Sequence, residues 1–137
     1  MTTLLQEFQQ LPAVLGLALG PGFVARMPGN PDRCFVVARY GGPESRLADN
    51  YDEPRIQFRL RGPSTDVSVA EADAELVYNA LNGLQDLTLP GGTWLSLMVG
   101  VQAGPIFIGQ DQNSRPEYTV NFRCEISRPA LNRENPQ

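Results

Sequence analysis

The sequence predicts an α+β fold: a mostly antiparallel or mixed sheet of about four to five strands, with two main helices packed on one face. Three observations lead there. Arg55–Arg61 and Tyr118–Ile126 alternate polar and apolar residues with the period of a half-buried strand. The N-terminus and the segment from about 69 to 82 instead repeat apolar residues at helical spacing, each behind a hydroxyl residue suited to capping. Finally, 137 residues of which 42% are apolar make one core and leave little room for another. A domain near this length buries roughly two-thirds of its unfolded surface. We place the domain at residues 1–128. Residues 129–137 form a polar tail with two prolines, expected to order only where a partner holds it.

Along the chain, Thr3 and Gln6 form a capping box ahead of Leu4, Leu5, Phe8 and Leu11. Pro12 ends that helix, kinks it or starts a second one. Glycines and Pro21 loosen the stretch from Gly16 to Gly22, and Met27–Pro31 reads as a turn. Cys34–Tyr40 has so few polar positions that a strand covered on both faces fits best. Residues 44–54 are polar and read as a surface loop. In the strand that follows, Ile56, Phe58 and Leu60 take the core face, while Arg55, Gln57, Arg59 and Arg61 form an outward basic stripe.

Ser68 with Glu71 suggests a second capping box, opening a helix whose apolar face is Ala72, Leu76, Val77, Ala80, Leu81 and Leu84. Its acids at 71, 73 and 75 lie where the helix dipole favours them. Strands follow at Trp94–Val101, at Ile106–Ile108 and finally at Tyr118–Ile126. In the last, Tyr118, Val120, Phe122, Cys124 and Ile126 form one row, and Thr119, Asn121, Arg123 and Glu125 the other. The order is thus helix, two strands, helix, three strands.

Composition removes most enzyme classes. There is no histidine, the commonest general base and metal ligand. Cys34 and Cys124 lie too far apart in sequence for a redox pair or a zinc knuckle of ordinary spacing, and read as buried thiols. A net charge of -4 argues against a general nucleic-acid binder. No stretch reads as a membrane span or a secretory signal, so the chain is expected to be soluble and not exported. All 11 basic residues are arginine, whose rigid five-donor fork suits packed protein contacts; a GC-rich coding sequence produces the same bias.

The individual constellations carry little chemistry. Asp49, Asp52 and Glu53 sit in the polar loop with no apolar wall to separate their acidities, so they read as solvated rather than catalytic or metal-binding. Asp111 and Asn113 resemble the start of a calcium loop, but Pro116 and Phe122 stand where glycine and glutamate are required, which leaves a tight turn capped by its own side chains. The glycine pairs lack the lysine of a P-loop and the spacing of a dinucleotide site. Serine, threonine and cysteine find no histidine or lysine to activate them, so no catalytic residue, metal site or cofactor is expected. Charge is nevertheless uneven. No basic residue falls between Arg61 and Arg115, a stretch holding Asp66, Glu71, Asp73, Glu75 and Asp86. A molecule with one basic and one acidic surface is suited to pairing head to tail with copies of itself, and equally describes a monomer with an uneven surface.

Several segments together resemble the tail-terminator, or minor capsid, family of long-tailed bacteriophages. They are Met27–Val37 (MPGNPDRCFVV), Tyr40–Gly42 (YGG), Pro54–Gly62 (PRIQFRLRG), the helix end Val77–Leu84 (VYNALNGL) and Gly104–Phe122. Ser114 stands where a turn glycine is expected. The resemblance implies a structural virion protein without enzymatic activity. Six copies would form a ring at the head-proximal end of the tail, between the tail tube protein and the head–tail connector, assembled in the host cytoplasm. DNA would pass through its lumen without specific binding. By that analogy the expected subunit contacts are Asp49, Asp52, Arg55, Arg59, Arg61, Asp111, Asn113 and Arg115; the charge pattern adds Arg123 to them, and Glu71, Asp73 and Glu75 as an acidic surface or lumen face. A head-completion or stopper subunit, a tube-like subunit, and a small cellular binding module are the alternatives.

Overall fold

A computed structural model describes residues 2–133. The first helix, α1, spans Leu4–Val14. Thr3 caps it as expected: its hydroxyl accepts from the Gln6 backbone while the Gln6 side chain accepts from the Thr3 N–H. Pro12 neither ends nor restarts the helix but sits inside its last turn. Strands β1 (Gly22–Val24), β2 (Cys34–Gly41), β3 (Tyr51–Asp52) and β4 (Arg55–Arg61) follow. Helix α2 (Val67–Leu81) precedes β5 (Leu84–Thr88), β6 (Trp94–Gly100), β7 (Ile106–Gln110) and the twelve-residue β8 (Pro116–Ser127).

The α+β class holds, but the sheet has eight strands rather than four to five, in the order β1-β2-β4-β8-β6-β5. Only β1 runs parallel to its neighbour, so the sheet is mixed. Strand β8 is its spine. Thr119 pairs with Arg59 of β4 on one edge and with Ile106 of β7 on the other, while Ile126 lies between Asp52 of β3 and Leu95 of β6. Thus β3 continues the β4 edge of the spine, and β7 and β6 share the opposite edge.

The three strands that sequence patterning leaves out have specific reasons for being hidden. Strands β1 and β3 contain three and two residues, too few for any period to show. Strand β5 (Leu84–Thr88) keeps a continuous register with β6, but Asp86 takes a left-handed φ of 56° and neither Gln85 nor Asp86 is buried, so no polar/apolar alternation shows in its sequence. Strand β1 also requires glycine where it packs, because a Cβ on Gly22 would lie 2.3 Å from the Phe35 ring.

The predicted core rows do face the helices. Leu4, Phe8 and Leu11 of α1 join Phe35, Val37, Ile56, Phe58, Leu60 and the row from Tyr118 to Ile126 in one cluster. Phe58 stacks on Phe35 and meets Phe122 edge-on, both at 6.0 Å between centroids. Burying one such ring is worth about 1.5–3 kcal/mol. Helix α2 corrects two expectations. Its cap is Asp66, which accepts from the Ser68 backbone at 3.0 Å, rather than a Ser68–Glu71 box. Its buried face is Ala70, Ala74, Val77 and Leu81, while Ala72 and Leu76 are exposed. Small alanines at 70 and 74 let the helix lie close to the sheet; a Cβ on Gly62 would already crowd Ala70.

Candidate subunit interface

The arginines and acids singled out by charge fall into three groups. The first is internal scaffolding. Arg61 is not part of an outward stripe: its side chain is 2% exposed and its guanidinium donates to the carbonyls of Pro28 and Pro31 at 2.7 Å and of Asp32 at 3.1 Å. The turn from 27 to 32 has no regular backbone ladder of its own, so the fork of a single arginine satisfies three of its carbonyls. Arg115, also buried, donates to Gly29 O at 2.6 Å, to Asp32 at 3.1 Å and to Asp111 at 2.8 Å.

Asp111 closes this network as the expected turn cap, its Oδ1 accepting from the backbones of Asn113 (2.9 Å) and Arg115 (3.0 Å). Burial pulls the Asp111 carboxyl upward, but those N–H groups and the Arg115 guanidinium outweigh it and hold the group below its ordinary range. Ser114 takes the left-handed conformation, φ 61°, that a turn glycine would occupy without strain. Asn113 itself is exposed.

The second group is paired across the polar face of the sheet or within its loop. Arg59 donates through Nε to Glu117 at 2.8 Å, and Arg123 bridges Glu53 (3.2 Å) and Glu125 (2.5 Å). Asp73 is nearly buried and receives a two-pronged contact from Arg33 at 2.8 Å, so it is no part of an open acidic face. Asp52 takes Arg133 at 2.9 Å and the Ser45 hydroxyl at 2.6 Å. Burial raises the Asp52 carboxyl, and the Arg133 and Ser45 contacts outweigh that and lower it. Asp49 pairs with Arg46 and accepts from the Tyr51 backbone at 3.2 Å. Arg133 also donates to the carbonyls of Asp49 (2.7 Å) and Tyr51 (2.9 Å). The start of the polar tail is therefore clamped onto the loop of the same subunit; residues 134–137 lie outside the described residues. No sequence pattern links position 133 to this loop, so only the fold reveals the clamp.

The third group has no ion-pair partner among the described residues. It holds Arg26, Arg39, Arg55 and Arg128, and the exposed acids Glu44, Asp66, Glu71, Glu75 and Asp86. Except for Glu44, those acids belong to α2, its cap and β5. Arg26, Arg39 and Arg55 follow or lie on β1, β2 and β4, the side of the sheet away from β5, while α2 itself packs against β8, β4 and β6. Of the arginines expected from sequence to make subunit contacts, Arg55 alone is in this group.

Both thiols are buried and free. Cys124 faces the core, and burial pushes its thiol up to about 12. Cys34 lies on the other face beside Met27, 3.4 Å between sulfurs; burial raises it too, partly opposed by Arg61 and Arg115. No cluster of three histidine, cysteine or carboxylate side chains suited to a metal occurs among the described residues, and none of their helices is long and apolar enough to cross a membrane.

The chain matches the family model described as bacteriophage tail terminator protein over residues 6–128. A search of curated proteins returns no match. In structure the chain is similar to a component of the "virion of native gene transfer agent (GTA) particle", at 20% identity and a TM-score of 0.53, covering 89% of this chain and 92% of that one. At that identity the likeness concerns the fold. The family match spans all but the first two residues of α1, the whole of α2 and the sheet, and the arginine network beneath the 27–32 turn. The chain belongs to the bacteriophage tail terminator protein family.

Proposed function

We propose that this protein is a structural virion subunit that ends the tail tube: copies close into a ring, with six the expected number, between the tube protein and the head–tail connector. The match over residues 6–128 carries this reading. The charge segregation supports it, since unpaired acids on α2 and β5 and unpaired arginines on or after β1, β2 and β4 of one subunit favour a head-to-tail contact that closes by rotation. Assembly would take place in the host cytoplasm, with the mature protein at the head-proximal end of the tail.

Of the expected contact residues, Arg55 is placed to reach a neighbour directly. Arg59, Arg123, Asp49, Asp52 and Asn113 would take part from the polar face and its loops, while Arg61, Arg115 and Asp111 would act by holding the turns that a neighbour meets. For the acidic set, Glu71 and Glu75 offer an open surface and Asp73 braces the helix through Arg33. DNA would pass through the lumen without a gripping site.

Particles produced without this subunit test the role. Tails of uncontrolled length that fail to join heads are the expected outcome. Normal tails lacking only a sealed or joined head would point to a stopper, and a missing tube to a tube subunit; either result overturns the terminator role.

A further inference from the structure

Strand β7 has an unusual surface. Ile106, Phe107 and Ile108 are consecutive and 40–51% exposed, on a strand paired only with β8. An open strand edge carrying three large apolar side chains is a liability unless something covers it. Its surroundings indicate what does. Phe107 packs on Tyr118 at 5.3 Å between ring centroids, and the Tyr118 hydroxyl donates to Glu71 at 3.2 Å. Glu75 lies one helical turn farther along the same side of α2 and is exposed. The apolar strand is thus bordered by acids that have no ion-pair partner among the described residues.

The part of the sheet beyond β4 offers the counterpart. Arg39 and Arg128 line a cleft of about 360 Å³ between the start of α1, the end of β2 and the loop at 43–54. Nη1 of Arg128 is buried there without a hydrogen-bond acceptor. Two carboxylates, Asp52 and Glu53, also line the cleft, but they already serve Arg133 and Arg123. Arg128 is otherwise half-buried, so a carboxylate entering the cleft can pair with its guanidinium, and a buried N–H left without an acceptor is costly. Exposed Val24 of β1 and Tyr40 of β2 supply apolar surface on the same side of β4.

We propose that one copy of this chain seats β7 and the acidic flank of α2 against the arginine-lined cleft beside β2 of the next copy. The inference rests on the ring reading and deepens it, assigning the acids of α2 to the subunit contact rather than to the lumen. A second copy is the occupant because the two halves complement each other in charge and apolar surface and are separate surfaces of one subunit, β7 on one side of β8 and β2 beyond β4 on the other, as a closing heterologous contact requires.

The test uses Glu75→Arg, Arg39→Glu, their combination in one chain, and Phe107→Ser. Each variant is checked for native circular dichroism, and self-association is measured by sedimentation and light scattering, alone and with tail tubes. Each single reversal should weaken association at least about tenfold, and the double reversal should recover most of the loss, because every contact then pairs the swapped charges. Phe107→Ser should weaken association with the fold intact. Rings that form normally in the single variants, or a double variant no better than the worse single, overturn this pairing and leave the ring reading standing. Intact rings that no longer cap tubes assign the surface to the tube and also overturn it. A wild-type chain that stays monomeric alone and on tubes defeats the ring reading itself.

Discussion

Replacing Arg61 with methionine keeps most of the side-chain volume and removes the fork that holds the 27–32 turn. Three charge-assisted hydrogen bonds disappear, at 2.7, 2.7 and 3.1 Å. At about 1.5–3 kcal/mol each, their gross loss is roughly 4.5–9 kcal/mol. Two effects reduce it. The turn lies at the surface, so water reaches the freed carbonyls, and a buried methionine avoids the cost of desolvating a guanidinium. A net loss of about 3 kcal/mol remains, which for a domain of this size lowers Tm by about 10 °C. Arg55→Met is the matched control, in the same strand and row but without a pairing partner, and should change stability by no more than about 0.5 kcal/mol. Thermal unfolding followed by circular dichroism compares the two. Equal shifts, or a loss under about 2 °C for Arg61→Met, would refute the account of this arginine as the turn's internal support.

Ser114→Gly should stabilise the protein by up to about 1 kcal/mol in denaturant titration, since glycine accepts the left-handed conformation at φ 61° without a side-chain clash; a loss of stability would contradict the turn geometry. Because the Asp111 carboxyl is held below its ordinary pKa, its contribution is fully present above the ordinary carboxylate range and lost as pH falls through its depressed native value. Asp111→Asn should therefore flatten the acid limb of the stability–pH curve, and an unchanged limb would argue against the ion network. Cys124, raised to about 12 by burial, and Cys34, raised less, should resist alkylation at pH 8 in the native state and react at ordinary thiol rates in denaturant. Rapid native labelling would show that the face covering either thiol is open.

Much of the core was legible because alternation and helical spacing report burial directly: Ile56, Phe58 and Leu60, and Tyr118 through Ile126, lie in the rows that their spacing predicts. Three strands were not legible, because two are too short to show a period and β5 places the adjacent polar residues Gln85 and Asp86 both at the surface. Alternation also misled at Arg61. It places the residue on the correct face of the strand but does not show that the 27–32 turn folds over that face. The same gap hid the pairing of Asp73 with Arg33, forty positions apart in sequence. Arginine on a strand reads as outward until its partners are known. The arginines left unpaired, Arg26, Arg39 and Arg128, stand in no pattern and became visible only when the others had been matched to their carboxylates.

A terminator must form a ring at a tube end. Electron microscopy of the purified chain mixed with its tail tube protein, with mass measured by light scattering, tests this directly. The account predicts closed rings of one copy number, with six expected, capping tube ends and halting their growth. Filaments in which this chain continues the tube, or a monomer that leaves tube growth unchanged, would contradict it.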